Sequence, residues 1–200
     1  MINIIRLQSQ EQKEKICDVI MSRIDELQES IKGKGQLLYL SKRIKHKDVS
    51  LFVHTSDPSV LGDFIAEQLS KIESLTDIWI INMIKPVFFP LPKDTHDMKR
   101  YTITLRVFPT KLKDVYQYIA YTFHLFGDSI QISILADTED ALNKYLADVV
   151  NTLPGVLKTT VNEIERTRPL VSYDEWKRYS SHHGIVPAWD EELMVNQFHG

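Results

Sequence analysis

Seven histidines and a single cysteine are the side chains of this 200-residue chain best suited to proton transfer, metal ligation or nucleophilic attack. His54 closes the run Val49-Ser-Leu-Phe-Val-His54, and His124 sits in Ala120-Tyr-Thr-Phe-His124-Leu; both runs read as strands. A strand histidine is ordinarily a hydrogen-bonded sheet residue, but one that faces an enclosed space can carry a proton near neutral pH. His182 and His183 are adjacent, so they cannot share one side of a strand or regular helix. Asp190, Glu191, Glu192 and His199 follow them without zinc-type spacing, and no metal site is expected. Cys17 lies beside Ile16 and Val19 in a helical pattern, as an inert, half-buried thiol would. One cysteine allows no internal disulfide, which fits a reducing compartment. The chain shows no glycine-rich phosphate loop, nucleophile elbow or paired-carboxylate motif. On motifs alone no catalytic residue is assigned and no cofactor is expected.

These residues need a scaffold, and the composition supplies an ordinary globular one. Hydrophobic residues are 43% and charged residues 26%, with a formal net charge of -3. That balance gives no whole-chain basic field for nucleic acid, and Lys42, Arg43, Lys45 and Lys47 form only a short basic cluster. No apolar run approaches the roughly 20 residues of a membrane span. A cytoplasmic protein with no membrane contact and no direct nucleic-acid binding is expected.

The apolar periodicity defines the elements. A strand over about 2–7 precedes a long helix, capped by Ser9 and Gln12 as a capping box. Ile16, Val19, Ile20, Ile24, Leu27 and Ile31 lay one apolar stripe along that helix, and Gly33 and Gly35 terminate it. Strands are expected over 36–44 and 48–54, joined by a charged turn. Asp57-Pro58 then starts a helix, and a strand over 76–84 follows. After the proline-bearing stretch 85–99 the order repeats. A strand over 100–108 alternates Ile103, Leu105 and Val107 against Thr102, Thr104 and Arg106. Thr110 is the expected cap of the next helix. Strands over 121–126 and 130–135 follow, then a helix capped by Asp137, then a strand over 156–164.

Asp48–Asp57 lies on Asp128–Asp137 without a gap, and one extra residue in the second helix brings Ile72–Leu75 onto Leu153–Val156. Each half reads β-α-β-β-α-β, a ferredoxin-like unit. The expected fold is α+β: two ferredoxin-like repeats packed sheet to sheet as a pseudo-dimeric α/β barrel. The expected organisation is a first repeat over 1–90, a linker over 91–99, a second repeat over 100–168 and an extension over 169–200. The extension carries Tyr173, Trp176, Tyr179, Trp189 and Phe198, too many aromatics to leave in water.

The segment from Ala120 through Gly127-Asp128 to Asp137 and Leu142 resembles the effector-binding domain of the Lrp/AsnC regulators. Leu153-Pro-Gly-Val-Leu-Lys-Thr-Thr-Val161 is similar to the start of that family's last strand. The resemblance spans about 100–166, and the first half shares it through the repeat. It implies a dimeric α/β barrel that assembles further and binds small effectors, often amino acids, near the Gly-Asp turn. Gly127 and Asp128 are the positions it carries over. His124 and Thr159, within the matching segments, complete the candidate ligand-binding set. Glycine lets backbone approach a ligand closely, although the same dipeptide also suits a plain hairpin. Ile130 stands where the family has a second acidic residue, and its amino-terminal helix-turn-helix is missing.

The function expected on these terms is a stand-alone sensor of an amino acid or related metabolite. Its partners would be a small effector, further copies of itself and a separate DNA-binding protein. Because Gly127 has only Lys47 opposite it in the overlay, the ligand site is expected in the second half. The alternative is an enzyme of the dimeric α/β barrel class, monooxygenase-like or tetrapyrrole-handling, that uses an inward-facing His54 or His124.

Overall fold

The computed structural model describes residues 1–9, 13–84, 99–118, 123–125 and 129–172, together with Asp174, Glu175, Arg178 and His182. Eight strands and five α-helices are described, and the fold is α+β with antiparallel strand pairing. The chain divides into two compact units. The first is Met1–Ile84 joined by Ile164–Ser172, and the second includes the described residues of 99–163. The last strand therefore contributes to both.

In the first unit β1 (Ile2–Ser9), β2 (Gly35–Arg43), β3 (Asp48–Thr55) and β4 (Leu75–Ile84) line up as β4-β1-β3-β2. The end of β8 (Val156–Pro169) extends this sheet beyond β2, with Arg43 opposite Ile164 and Tyr39 opposite Pro169. Residues 166–169, the last of them expected in the extension, are thus sheet. One side of the sheet carries Ile5, Leu7, Val49, Leu51 and Val53. It packs on Ile16 and Ile20 of α1 (Lys13–Ser22), Leu27 of α2 (Ile24–Ser30), and Leu61 and Phe64 of α3 (Pro58–Glu67). Burying each such side chain contributes about 1.5–3 kcal/mol, so this stripe is the main stabilising feature of the unit.

The long first helix is two helices. Arg23, with φ -111 and ψ 13, breaks the regular geometry between them. Its guanidinium reaches forward to Glu26 at 2.6 Å and across to the Gln68 side chain at 3.3 Å. The apolar stripe continues through the break, which is why periodicity alone reads one helix. Ser9 is a buried residue at the end of β1, and Gln12, its expected partner in the capping box, lies outside the described residues. Gly33 ends the helical segment in a left-handed conformation, φ +75, as expected. Asp57 caps α3: its carboxylate accepts from the Ser59 and Val60 N–H groups at 2.8 and 3.2 Å, with Pro58 at the first turn.

In the second unit β5 (Lys99–Val107), β6 (Phe123–Leu125), β7 (Ser129–Ala136) and β8 follow the order β8-β5-β7-β6. Tyr101, Ile103, Leu105, Ile130, Ile132 and Ile134 pack on Val115 of α4 (Leu112–Tyr118) and Leu142 of α5 (Glu139–Asp148). Two caps differ from expectation. Thr110 lies inside a short 3-10 turn, Pro109–Lys111, that leads into α4 without a side-chain cap. The cap of α5 is Thr138, whose hydroxyl accepts from the Ala141 N–H at 3.1 Å, while Asp137 accepts from the Thr138 hydroxyl.

That shift of one residue corrects the internal overlay. Asp57 and Thr138 cap equivalent helices, and α3 and α5 both have ten residues. The 3-10 turns Leu69–Lys71 and Val150–Thr152 follow them. Their preceding residues have near-equal angles: φ -117 and ψ -53 at Gln68, φ -113 and ψ -62 at Val149. Every pair stands 81 residues apart, from Asp48/Ser129 to Leu75/Val156, so no helix residue is inserted. A slip of one exchanges the two sides of a strand. The expected overlay put His54 on Ile134; in the structure its counterpart is Leu135.

Among the described residues no helix is long and apolar enough to cross a membrane. The aromatics Tyr173, Trp176, Tyr179, Trp189 and Phe198 lie outside the described residues or have no described side chain.

Candidate functional site

Strand alternation gives the first unit's sheet a second side, away from its helices. Ile2, Ile4 and Arg6 of β1 lie there beside His54, Phe52, Ser50 and Asp48 of β3, because Ile2 pairs with His54, Ile4 with Phe52 and Arg6 with Ser50. A register shift between Leu37 and Tyr39 turns Tyr39 onto the same side, opposite Phe52, and brings Ser41 opposite Ser50. The Tyr39 and Phe52 rings meet edge to face, centroids 6.2 Å apart. Trp79 of β4 pairs with Arg6.

This side is buried although no helix of the unit covers it. Ile2 and Ile4 are 2% exposed, and Tyr39 and His54 6%. It is chemically graded along the strands. At one end His54 lies opposite Ile2 and Gln36, with Ile4, Phe52 and Tyr39 next along the strands. At the other end Arg43 donates to both oxygens of Asp48, at 2.6 and 2.8 Å, and the Arg6 Nε lies 3.9 Å from the same carboxylate. Burial, and then the neighbouring Arg43, push the Arg6 guanidinium below its ordinary value, against the opposing pull of Asp48. Trp79 is half exposed, and its indole N–H donates to Asp77 at 2.6 Å.

The basic cluster read from the sequence is divided between the two sides of β2. Lys42 pairs with Glu165 at 3.1 Å and Glu14 at 3.5 Å, whereas Arg43 belongs to Asp48. Lys45 takes φ 63 in the hairpin turn. Cys17 is half-buried beside Lys42, and burial pushes its thiol up, consistent with an inert group.

The expected ligand-binding set does not form a describable site. Gly127 and Asp128 lie outside the described residues. His124 is in β6 and pairs with Ile130, a residue of the helix-packed core; the His124 side chain itself is not described. Thr159 is a half-buried residue of β8. Among the described residues there is no cluster of histidine, cysteine, aspartate or glutamate that could hold a metal ion. The residues that sequence reasoning missed are Arg6, Arg43 and Asp48. Their signal was weak: an isolated arginine in the apolar run Ile2–Leu7 is the one hint of a buried charge.

No protein-family model matches the chain, and no curated protein matches it either. Its fold does match solved structures. A protein from Fusobacterium nucleatum to which monooxygenase activity is attributed superposes with a TM-score of 0.57 at 11% identity, over 85% of this chain and 92% of that one. An anthrone oxidase-like protein gives 0.52 at 11% identity, over 86% and 94%. A variant of chlorite dismutase from Candidatus Nitrospira defluvii gives 0.50 at 12% identity, over 82% and 92%. These neighbours are ferredoxin-like proteins of the dimeric α+β barrel kind, and at such identities the likeness concerns the fold alone.

They correct the functional expectation. The neighbours are named for enzymes, which overturns the expected Lrp/AsnC-like transcription regulator. The structure supplies a physical reason for the misleading motif. Gly155 in Leu153-Pro-Gly-Val has φ +78, and a Cβ there would lie 2.6 Å from Lys111 side-chain atoms. Its carbonyl accepts from the Phe108 N–H at 2.9 Å. The motif is a turn that lets the last strand start close against the residues leading into α4. Any unit of this fold has use for it.

Proposed function

We propose that this chain is an enzyme of the dimeric α+β barrel class, of monooxygenase type, acting on an aromatic substrate at the non-helical side of the first unit's sheet. The observation that carries the reading is His54, a buried residue opposite Ile2 and Gln36, with Ile4, Tyr39 and Phe52 next along the same side. A titratable side chain held in such surroundings is suited to proton transfer away from bulk water. The names of the structural neighbours support the same class. The sheet-to-sheet pairing of the two repeats, expected from the sequence, belongs to this proposal.

The chemistry that fits is oxidation of an acidified methylene group by dioxygen, which yields a ketone and a molecule of water. His54 accepts one proton from the methylene carbon. The electron pair left on carbon passes to dioxygen, and a C–O bond forms. The imidazolium returns its proton to the resulting peroxide. Loss of the second C–H hydrogen then cleaves the O–O bond and releases water. Ile2, Ile4, Tyr39 and Phe52 hold the aromatic body and keep bulk water from the carbanion.

The test is oxygen uptake and ketone formation with anthrone as the substrate. Wild-type protein turns over, His54→Ala loses at least about 100-fold in kcat, and His124→Ala retains its rate. No uptake with anthrone, or a His54→Ala variant as fast as wild type, refutes the reading.

A further inference from the structure

Large hydrophobic side chains reach solvent at two places in the described sheets. In the first unit Trp79 and Ile80 lie on opposite sides of β4 and form no single surface. In the second unit Phe108 and Leu157 are 51% and 48% exposed, and they lie at one end of the sheet. Phe108 follows β5, and Leu157 is the second residue of β8. Their segments are joined, because the Phe108 N–H donates to the Gly155 carbonyl at 2.9 Å. Pro109 follows Phe108, Pro154 precedes Gly155, and both are exposed. Four apolar side chains are thus held in water where two turns come together.

Lysines accompany them. The side chain of Lys111 packs on Gly155, where a Cβ would lie 2.6 Å from its atoms, and its ammonium pairs with Asp114 at 3.2 Å. Lys113 and Lys158 are exposed and have no ion pair among the described residues. Arg106, two residues before Phe108, is already engaged, so lysines supply the available charge. The fold does not require this composition. At the matching positions of the first unit Glu73 replaces Pro154, Thr76 replaces Leu157 and Asp77 replaces Lys158, and all three are exposed. The same place is polar and acidic in one unit, apolar and basic in the other. An exposed apolar patch rimmed by charge marks an interaction surface.

We propose that this end of the second unit's sheet docks on an anionic lipid surface, a membrane contact not expected from the sequence. The cations decide between lipid and protein. Lysines are compact, hydrated point charges with no fork to match a particular carboxylate. Protein interfaces are depleted in lysine, whereas an anionic leaflet attracts it through its surface potential. Phe108 and Leu157 supply the apolar tips that enter the boundary between headgroups and acyl chains.

Sedimentation of the full chain with lipid vesicles tests the proposal, and it needs no turnover. The probes are vesicles of phosphatidylcholine alone and of an equal mixture with phosphatidylserine. The wild type is expected to partition at least about tenfold more strongly into the anionic vesicles, and less so at high salt. Lys113→Glu combined with Lys158→Glu removes that preference. Phe108→Ser combined with Leu157→Thr lowers partition into the anionic vesicles at least about tenfold. Thermal unfolding checks that both double variants are folded. His54→Ala binds vesicles as the wild type does, so a protein without oxidase activity can still pass this test. Equal partition of the wild type into the two kinds of vesicle overturns the proposal, as does failure to bind either, or unchanged partition in a folded double variant. A wild type that ignores vesicles but binds an oligoglutamate peptide bearing phenylalanine overturns it too, and assigns the patch to a protein partner.

Discussion

The two units build the same succession of elements and then furnish the non-helical side of their sheets in opposite ways. In the first unit that side carries His54, Tyr39, Phe52, Ile4 and the Arg6–Asp48–Arg43 cluster. At matching positions in the second, Leu135 replaces His54, Thr104 replaces Arg6 and Ser129 replaces Asp48. The helix-packed sides are alike by contrast, each a band of isoleucine, leucine and valine. Packing against helices demands the same apolar volume in both units, while the other side is free to diverge.

The largest expected effect tests this asymmetry at its centre. His54→Ala should lower kcat for anthrone oxidation by about 10²-fold or more, whereas Leu135→Ala should leave the kcat of the folded enzyme unchanged. Steady-state oxygen uptake on both variants decides it, and equal losses would mean that the halves contribute alike. Next in size is the buried ion cluster. Asp48→Ala removes the carboxylate that Arg43 binds through both oxygens and should cost about 3–5 kcal/mol in urea unfolding. Ser129→Ala, at the equivalent position, should stay within about 0.5 kcal/mol. A tolerated Asp48→Ala would show that water reaches the arginines freely.

A smaller contrast lies on the helix-packed side. Asn3 is fully buried, and neither polar atom of its side chain has a partner among the described residues. Tyr101 holds the matching place in the second unit, since Asn3 pairs with Val53 as Tyr101 pairs with Ile134. Thr55, two residues beyond Val53, has a buried hydroxyl that is likewise unpaired among the described residues. Because an unmade buried hydrogen bond costs about 1–3 kcal/mol, Asn3→Val should raise stability by up to that amount. Destabilisation instead would reveal a bound water between Asn3 and Thr55, and thermal unfolding distinguishes the outcomes.

The smallest effect concerns the helix caps. Thr138→Ala should cost about 1 kcal/mol, equally at pH 7 and pH 3. Asp57 behaves otherwise, because the Ser59 hydroxyl first, and then the Val60 N–H, hold its carboxyl below the ordinary value of 3.8. A lowered folded-state pKa stabilises the fold above the unfolded value, and the benefit disappears as the pH falls through the folded one. The destabilisation by Asp57→Ala should therefore be present at pH 7 and fade in acid below the carboxylate range. A pH-independent Asp57→Ala effect would mean that the cap acts without its charge.

Much of the scaffold was legible in residue order. Val49, Leu51 and Val53 alternate as a strand must, and Asp57-Pro58 starts a helix for reasons contained in those two residues. Ile103, Leu105 and Val107 fall on the packed side as their spacing requires. The errors arose where a local signal had two solutions. An apolar stripe at helical spacing does not show that Arg23 divides it. Asp137 and Thr138 are both good caps, and choosing the first moved the whole overlay by one residue. The site was less legible than the fold: Leu-Pro-Gly-Val serves chain reversal in any protein of this architecture, and Gly127-Asp128 lies outside the described residues.

Residue order alone was enough for the α+β class, the two β-α-β-β-α-β halves and the make-up of the helix-packed cores, because periodicity and turn chemistry act between near neighbours in the chain. Which polar residues meet was settled by the assembled sheet. Arg6 approaches Asp48 because β1 pairs with β3 at one register, and Arg43 reaches the same carboxylate because β2 returns across a short hairpin. Their union follows from long-range strand pairing, which no local pattern specifies.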